Sequence, residues 1–195
     1  MIIPRELHSV NHERRRRRDY TRAPQVTKAY LLGLLHDATE RKTTFRISTK
    51  SKIFVEIIQR GIKNLGPSAW IYKEGKDRNL WIVEFSKSLL KNVQVLDRQE
   101  KIDYIRGFFD AEGGIAKSEK VRFYLYFCQK DRNDLLQAKK YLDFLGIQSG
   151  IIHNPSKKVD SNYWRFFVRA KSYRDFARVI SSSHPEKLEI LRKKI

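Results

Sequence analysis

Apolar positions follow a rhythm that occurs twice. The stretch from Phe45 to Gly66, FRISTKSKIFVEIIQRGIKNLG, opens on alternation and switches to helical spacing at Ile53, Phe54, Ile57, Ile58, Ile62 and Leu65. The stretch from Leu125 to Gly146, LYFCQKDRNDLLQAKKYLDFLG, does the same, with Leu135, Leu136, Tyr141, Leu142 and Leu145 on the helical face. With Lys50 set on Lys130 both end in Leu-Gly, and Gly66 and Gly146 read as left-handed helix C-caps. A hairpin then returns at period two, through Trp81, Val83 and Phe85 in one copy and Trp164, Phe166 and Val168 in the other. Each first strand is preceded by a further helix, YLLGLLHDAT and YIRGFFDAEG.

The pattern predicts an α+β protein of two pseudo-symmetric αββαββα repeats, residues 25–95 and 96–195, with antiparallel sheets. Asp97 and Glu100 have the spacing of a capping box at the entry to the second repeat, and Ser172 with Asp175 resembles another. With one face of each sheet against helices, Phe45, Ile47, Val121, Phe123, Leu125 and Phe127 belong to the core side. The open face then carries Thr44, Arg46, Ser48, Ile82, Glu84 and Ser86 in the first repeat. In the second it carries Arg122, Tyr124, Tyr126, Cys128, Tyr163, Arg165, Phe167 and Arg169.

The helix IRGFFDAEG places Gly107 and Ala111 four residues apart, a flat stripe that admits a close partner helix, and delivers Glu112 at its end before Gly113. This resembles the LAGLIDADG homing endonuclease family of the single-chain, two-motif type. The resemblance implies two such helices packed at a pseudo-twofold axis, with Gly33 as the first helix's counterpart of Gly107, and saddle-shaped sheets over DNA. It also implies one acid from each helix for divalent metal, Mg²⁺ or Mn²⁺. Glu112 matches the second acid, with Gly113 beside it in the metal site. The first motif departs from the pattern: LLGLLHDAT, aligned on Gly33, puts Ala38 where the acid belongs. The nearest carboxylates are Asp37, one residue early and about 100° round an ideal helix, which serves only if the last turn is over- or under-wound, and Glu40 just beyond it. His36 reads as a spacer against the helix pair.

The resemblance thus implies a site-specific endonuclease acting on long duplex DNA, with Gln129 and Lys117 as further catalytic candidates. The alternative, left open by the displaced acid, is a cleavage-deficient DNA- or RNA-binding protein, a maturase or regulator, for which structured RNA is a partner. The chemistry asks for paired acids because phosphodiester hydrolysis uses hard cations held by carboxylates.

Charge agrees with a polyanion partner. The chain of 195 residues has 41 Lys and Arg against 22 Asp and Glu, a net +19. Seven Arg and three acids in residues 1–24, including Arg14 to Arg18, give that segment +4 and suggest a flexible basic arm; the remaining +15 lies in the repeats. The loop residues Lys73, Lys76, Arg78, Lys157 and Lys158 suit phosphates, the open-face residues suit base edges, and Lys50 and Lys130 count among the DNA-binding candidates. A single cysteine excludes an internal disulfide framework and a Cys-based zinc site. No apolar run approaches the ~20 residues that span a bilayer, so the expectation is a soluble, intracellular monomer.

Overall fold

The structure is a computed structural model that describes residues 25–75 and 77–195; the basic arm and Lys76 lie outside the described residues. Thr27 caps the first helix by accepting the Tyr30 amide at 3.1 Å. That helix, α1 (Lys28–Leu34), tightens into a 3₁₀ turn (Leu35–Asp37) before β1 (Thr39–Glu40), β2 (Thr44–Thr49), α2 (Lys52–Asn64), β3 (Ala69–Lys73) and β4 (Trp81–Ser86). The second half repeats the order with α3 (Arg98–Glu112), β5 (Gly113–Ile115), β6 (Leu125–Gln129), α4 (Arg132–Phe144) and β7 (Trp164–Phe167). It closes with a compound helix that passes from a 3₁₀ turn (Ala170–Ser172) through α5 (Tyr173–Asp175) to a π turn (Phe176–Ile180), followed by α6 (Pro185–Lys194).

The expected capping box is present on α3, where Asp97 accepts the Glu100 amide and Glu100 accepts the Asp97 amide. Gly66 and Gly146 end α2 and α4 at φ 106° and 77°, conformations that L side chains rarely adopt. Ser172 differs from expectation: it is buried and its hydroxyl accepts the Gln148 amide at 3.0 Å, so it ties down the preceding loop and caps no helix.

Both sheets are antiparallel, in the order β1-β2-β4-β3 and β5-β6-β7. The fourth strand of the second sheet is reduced to two bridges, Ser149 to Val168 and His153 to Arg165. The period-two rule sorts most of the faces. Ile47, Val83 and Phe85 join Tyr30, Leu31, Phe54, Val55, Ile58 and Ile62 in one core. Leu125, Phe127 and Phe166 join Phe108, Phe109, Leu135, Leu142 and Phe176 in the other. Two positions depart. Ile82 is on the open face but only 1% exposed, flanked across the strands by Ser48 and Tyr72. Val121 is 48% exposed because β6 starts only at Leu125; the polar run KSEK from Lys117 to Lys120 makes the hairpin loop long. Arg122 is therefore an exposed loop residue and not a strand residue. Among the described residues no helix is long and apolar enough to cross a membrane.

Candidate active site at the helix pair

α1 and α3 meet backbone to backbone. A Cβ on Gly33 would fall 2.1 Å from the Tyr104 carbonyl oxygen, and one on Gly107 would fall 2.0 Å from that of Tyr30. Each glycine thus touches the residue three positions before the other. Ala111, one turn beyond Gly107, is half-buried and packs against the first-half core. Polar side chains clamp the pair. Tyr30 donates to buried Asp110 at 2.7 Å; Asp110 also receives the Ser183 amide at 2.9 Å and the Ser182 hydroxyl. Thr27 donates to Asp103 at 3.0 Å, and Asp103 pairs with Arg106 at 2.8 Å, both buried.

The two helices deliver their acids equivalently. Glu112 is the last helical residue of α3, and Gly113 leaves it with φ −81° and ψ 144°. Asp37 is the last helical residue of the first motif, and Ala38 leaves it with φ −91° and ψ 144°. The structural counterpart of Glu112 is therefore Asp37, although from Gly33 it is one residue closer than Glu112 is from Gly107. The 3₁₀ turn accounts for much of the difference. At about 120° per residue against about 100° in an α-helix, three residues add roughly 60° of the ~100° that a missing residue takes away. Glu112 senses Asp37: burial first, and then the Asp37 charge, push Glu112 up to about 7, while burial raises Asp37.

A cation opposes both shifts. The Lys187 ammonium donates to the carbonyls of Phe109, Asp110 and Gly113 at 2.6, 2.9 and 2.7 Å. These lie at the end of α3, where the dipole is negative; the Phe109 carbonyl also accepts the Gly113 amide, so Lys187 is its second donor. Burial lowers the Lys187 pKa, while its charge draws Glu112 and Asp37 down toward the ionised form. The Cys128 thiol donates to the Glu112 carbonyl at 3.1 Å, and the Gln129 amide donates to the His36 carbonyl at 3.1 Å. Gln129 therefore reaches the end of the first motif helix from the opposite half. His36 is stacked on Phe108 at 4.0 Å, bonded to Tyr104 at 2.7 Å and 3.2 Å from Asp134, which makes it a wedge between the halves.

Other sequence candidates are placed elsewhere. Lys117 forms an exposed ion pair with Glu186 at 2.7 Å, at the rim. Gly113, expected beside the acid in the metal site, accepts from the Lys187 ammonium through its carbonyl at 2.7 Å. Arg46 is held on its own sheet by the Tyr72 hydroxyl and by Glu84 at 3.6 Å. Glu84 also accepts from Tyr72 at 2.7 Å and Thr44 at 2.5 Å. Ser48 is half-buried beside Ile82; Lys50, Lys130 and Arg169 are exposed at strand ends. Tyr124 and Tyr126 cluster with Phe167, each ring centroid 5.9 Å from that of Phe167. Sequence reasoning missed Lys187 and Asp110. Lys187 lies 74 residues from Gly113 with no spacing rule to link them, whereas Asp110 belongs to the motif itself.

The donor set fits a hard divalent cation. Among the described residues no group of three or more His, Cys, Asp and Glu could enclose a metal. The site offers two carboxylates that repel each other, and Mg²⁺ is usually held by one or two carboxylates with the remaining positions left to water and substrate phosphate.

Two glycine-faced helices, each ending in an acid and flanked by antiparallel sheets, define the LAGLIDADG fold. Residues 99–181 match the family described as LAGLIDADG-like domain, a span that holds the complete second motif. The chain is 29% identical over 200 residues to the uncharacterized protein MJ0398 of Methanocaldococcus jannaschii, covering 88% of this chain and 72% of that protein. Its fold is similar to that of the homing endonuclease I-DmoI in complex with DNA and Mn, with a TM-score of 0.59 and 22% identity over 80% of this chain and 97% of that one. It is likewise similar to the N-terminal LAGLIDADG domain of DUF199/WhiA, with a TM-score of 0.64 and 15% identity over 91% and 94% of the two chains.

Proposed function

We propose that this chain is a divalent-metal-dependent endonuclease of the homing type, a monomer that grips a long duplex across both sheets and hydrolyses one bond in each strand. The observation that carries the reading is the equivalence of Asp37 and Glu112. Each is the final helical residue of a glycine-packed helix, and the Asp37 charge contributes to raising Glu112. These two carboxylates would hold the metal, with Mg²⁺ or Mn²⁺ supplying an activated water and charge stabilisation at the leaving oxygen. Lys187 keeps the end of α3 fixed and favours the ionised carboxylates that bind a cation. Gln129 would orient water beside Asp37, a role supported by its bond to the neighbouring His36 carbonyl. The +19 charge supplies phosphate affinity that falls steeply with salt.

The test selects a duplex from a randomised pool, places it in supercoiled plasmid and follows cleavage in Mg²⁺ or Mn²⁺. The wild type linearises the plasmid, Asp37→Asn and Glu112→Gln nick it or leave it intact, and both variants still bind. A selected site that is bound but never nicked or cut by the wild type refutes the enzyme reading. Unchanged double-strand cleavage by Asp37→Asn refutes the role of Asp37. Selective capture of structured RNA in place of duplex DNA would move the chain to the binding class.

A further inference from the structure

The two open sheet faces differ in the row that borders the acids. The registers set Thr49 against Trp81 in the first half and Gln129 against Trp164 in the second. One step inward, Ser48 with Ile82 is equivalent to Cys128 with Arg165. The second of these rows adjoins the catalytic end of α3, because Cys128 bonds the Glu112 carbonyl. Where the first half places a buried isoleucine, the second half places an arginine.

Arg165 is prepared in a way that Arg46 is not. Its guanidinium lies 4.7 Å from the Tyr126 ring centroid, 5.3 Å from that of Tyr163 and 5.7 Å from that of Phe167. It donates to the Tyr163 hydroxyl at 3.0 Å, and among the described residues it has no carboxylate within ion-pair distance. An arginine stacked on aromatic faces loses little further rotamer freedom on binding and keeps its charge for a partner. Arg46, in contrast, must leave Glu84 before it can read anything.

We propose that Arg165 is a specificity-determining residue that recognises a guanine next to the bond cut on the Glu112 side. The guanidinium fork matches the O6 and N7 acceptors that guanine shows in the major groove. The matching position on the Asp37 side meets Ile82 and Ser48 and carries no such requirement. The site is therefore asymmetric about its centre. This inference rests on the duplex-DNA reading above.

The experiment uses the full chain carrying Glu112→Gln, to prevent cleavage, and duplexes selected from a pool with a randomised central segment. The expected consensus has one guanine on one side of the centre only. Replacing it with adenine, or with 7-deazaguanine to remove N7 alone, weakens binding by about 5- to 150-fold. In Arg165→Ala, and in Arg165→Met, which keeps an aliphatic stem over Tyr126, the guanine and adenine duplexes bind alike, and preferences elsewhere in the site are unchanged. Failure to enrich any duplex over a scrambled one would overturn the DNA-binding reading itself. Sequence-selective binding without that guanine, or with a preference that survives both variants, overturns the Arg165 assignment alone.

Discussion

Glu112→Gln should make the metal-free protein more stable at alkaline pH, although it removes an acid on which the proposed chemistry depends. Burial and the Asp37 charge raise Glu112 from 4.5 to about 7 in the folded state. The folded protein therefore holds that proton more tightly than the unfolded chain does. Stability from this group is complete below pH 4.5 and is lost as pH rises to about 7. The full difference would be worth about 3 kcal/mol, at about 1.4 kcal/mol for each tenfold change. The carboxyl is only half-buried, and solvent screening reduces the figure to about 1–2 kcal/mol. For a protein of this size that corresponds to a melting temperature about 3–6 °C above wild type at pH 8. Thermal melts in EDTA from pH 4.5 to 8.5 are the assay. The advantage of Glu112→Gln should grow through that window and level off above pH 7, and Mg²⁺ at pH 8 should narrow it by stabilising only the wild type. A variant less stable than wild type at pH 8, or an advantage that does not vary with pH, would refute the coupled-carboxylate argument. Asp37→Asn should act in the same direction, since burial raises Asp37 too, and the double variant should gain less than the two singles together, since the Asp37 charge is part of the Glu112 penalty.

Gly107→Ala places a methyl group 2.0 Å from the Tyr30 carbonyl oxygen, and the obstruction is backbone. Urea denaturation should show a loss of at least about 2 kcal/mol. Lys187→Met removes the ammonium bonds to the Phe109, Asp110 and Gly113 carbonyls, of which Phe109 keeps the Gly113 amide, and removes the cation that holds Glu112 and Asp37 down. Carboxyl-carbon NMR titration should find Glu112 ionising above pH 7, with a stability loss of about 1–3 kcal/mol. A Glu112 titration that stays in place would mean that Lys187 serves only as a cap.

The repeat, its faces and the glycine-faced helices were legible because each rests on periodicity. Gly33 and Gly107 stand in matched helices, and alternation sends Ile47, Val83, Phe127 and Phe166 to the cores. The structural counterpart of Glu112 in the first motif was not legible from counting. Counting assumes a uniform 100° per residue, which gives Ala38, whereas the tightened turn gives Asp37. Open-face chemistry was half legible. Alternation puts Arg46 and Arg165 on the same kind of surface, but whether the charge is free depends on the residue across the strand. That residue is Glu84 for Arg46 and Cys128 for Arg165. Arg122 and Val121 were misplaced because strand propensity does not show where pairing stops. Lys187 belongs to α6, and only the tertiary fold brings that helix under the end of α3.

The tightened turn that carries Asp37 is held from across the molecule: Gln129 takes the His36 carbonyl, and Tyr104 with Asp134 takes its ring. The duplication is therefore not modular. A chimera that joins residues 25–95 to the second half of a relative would keep Asp37 in its sequence, yet lose the grip that positions it unless the graft also supplied those three contacts. Although each half is built around its own core, the geometry of one acid is the property of the other half, and the two have to evolve, or be redesigned, as a single unit.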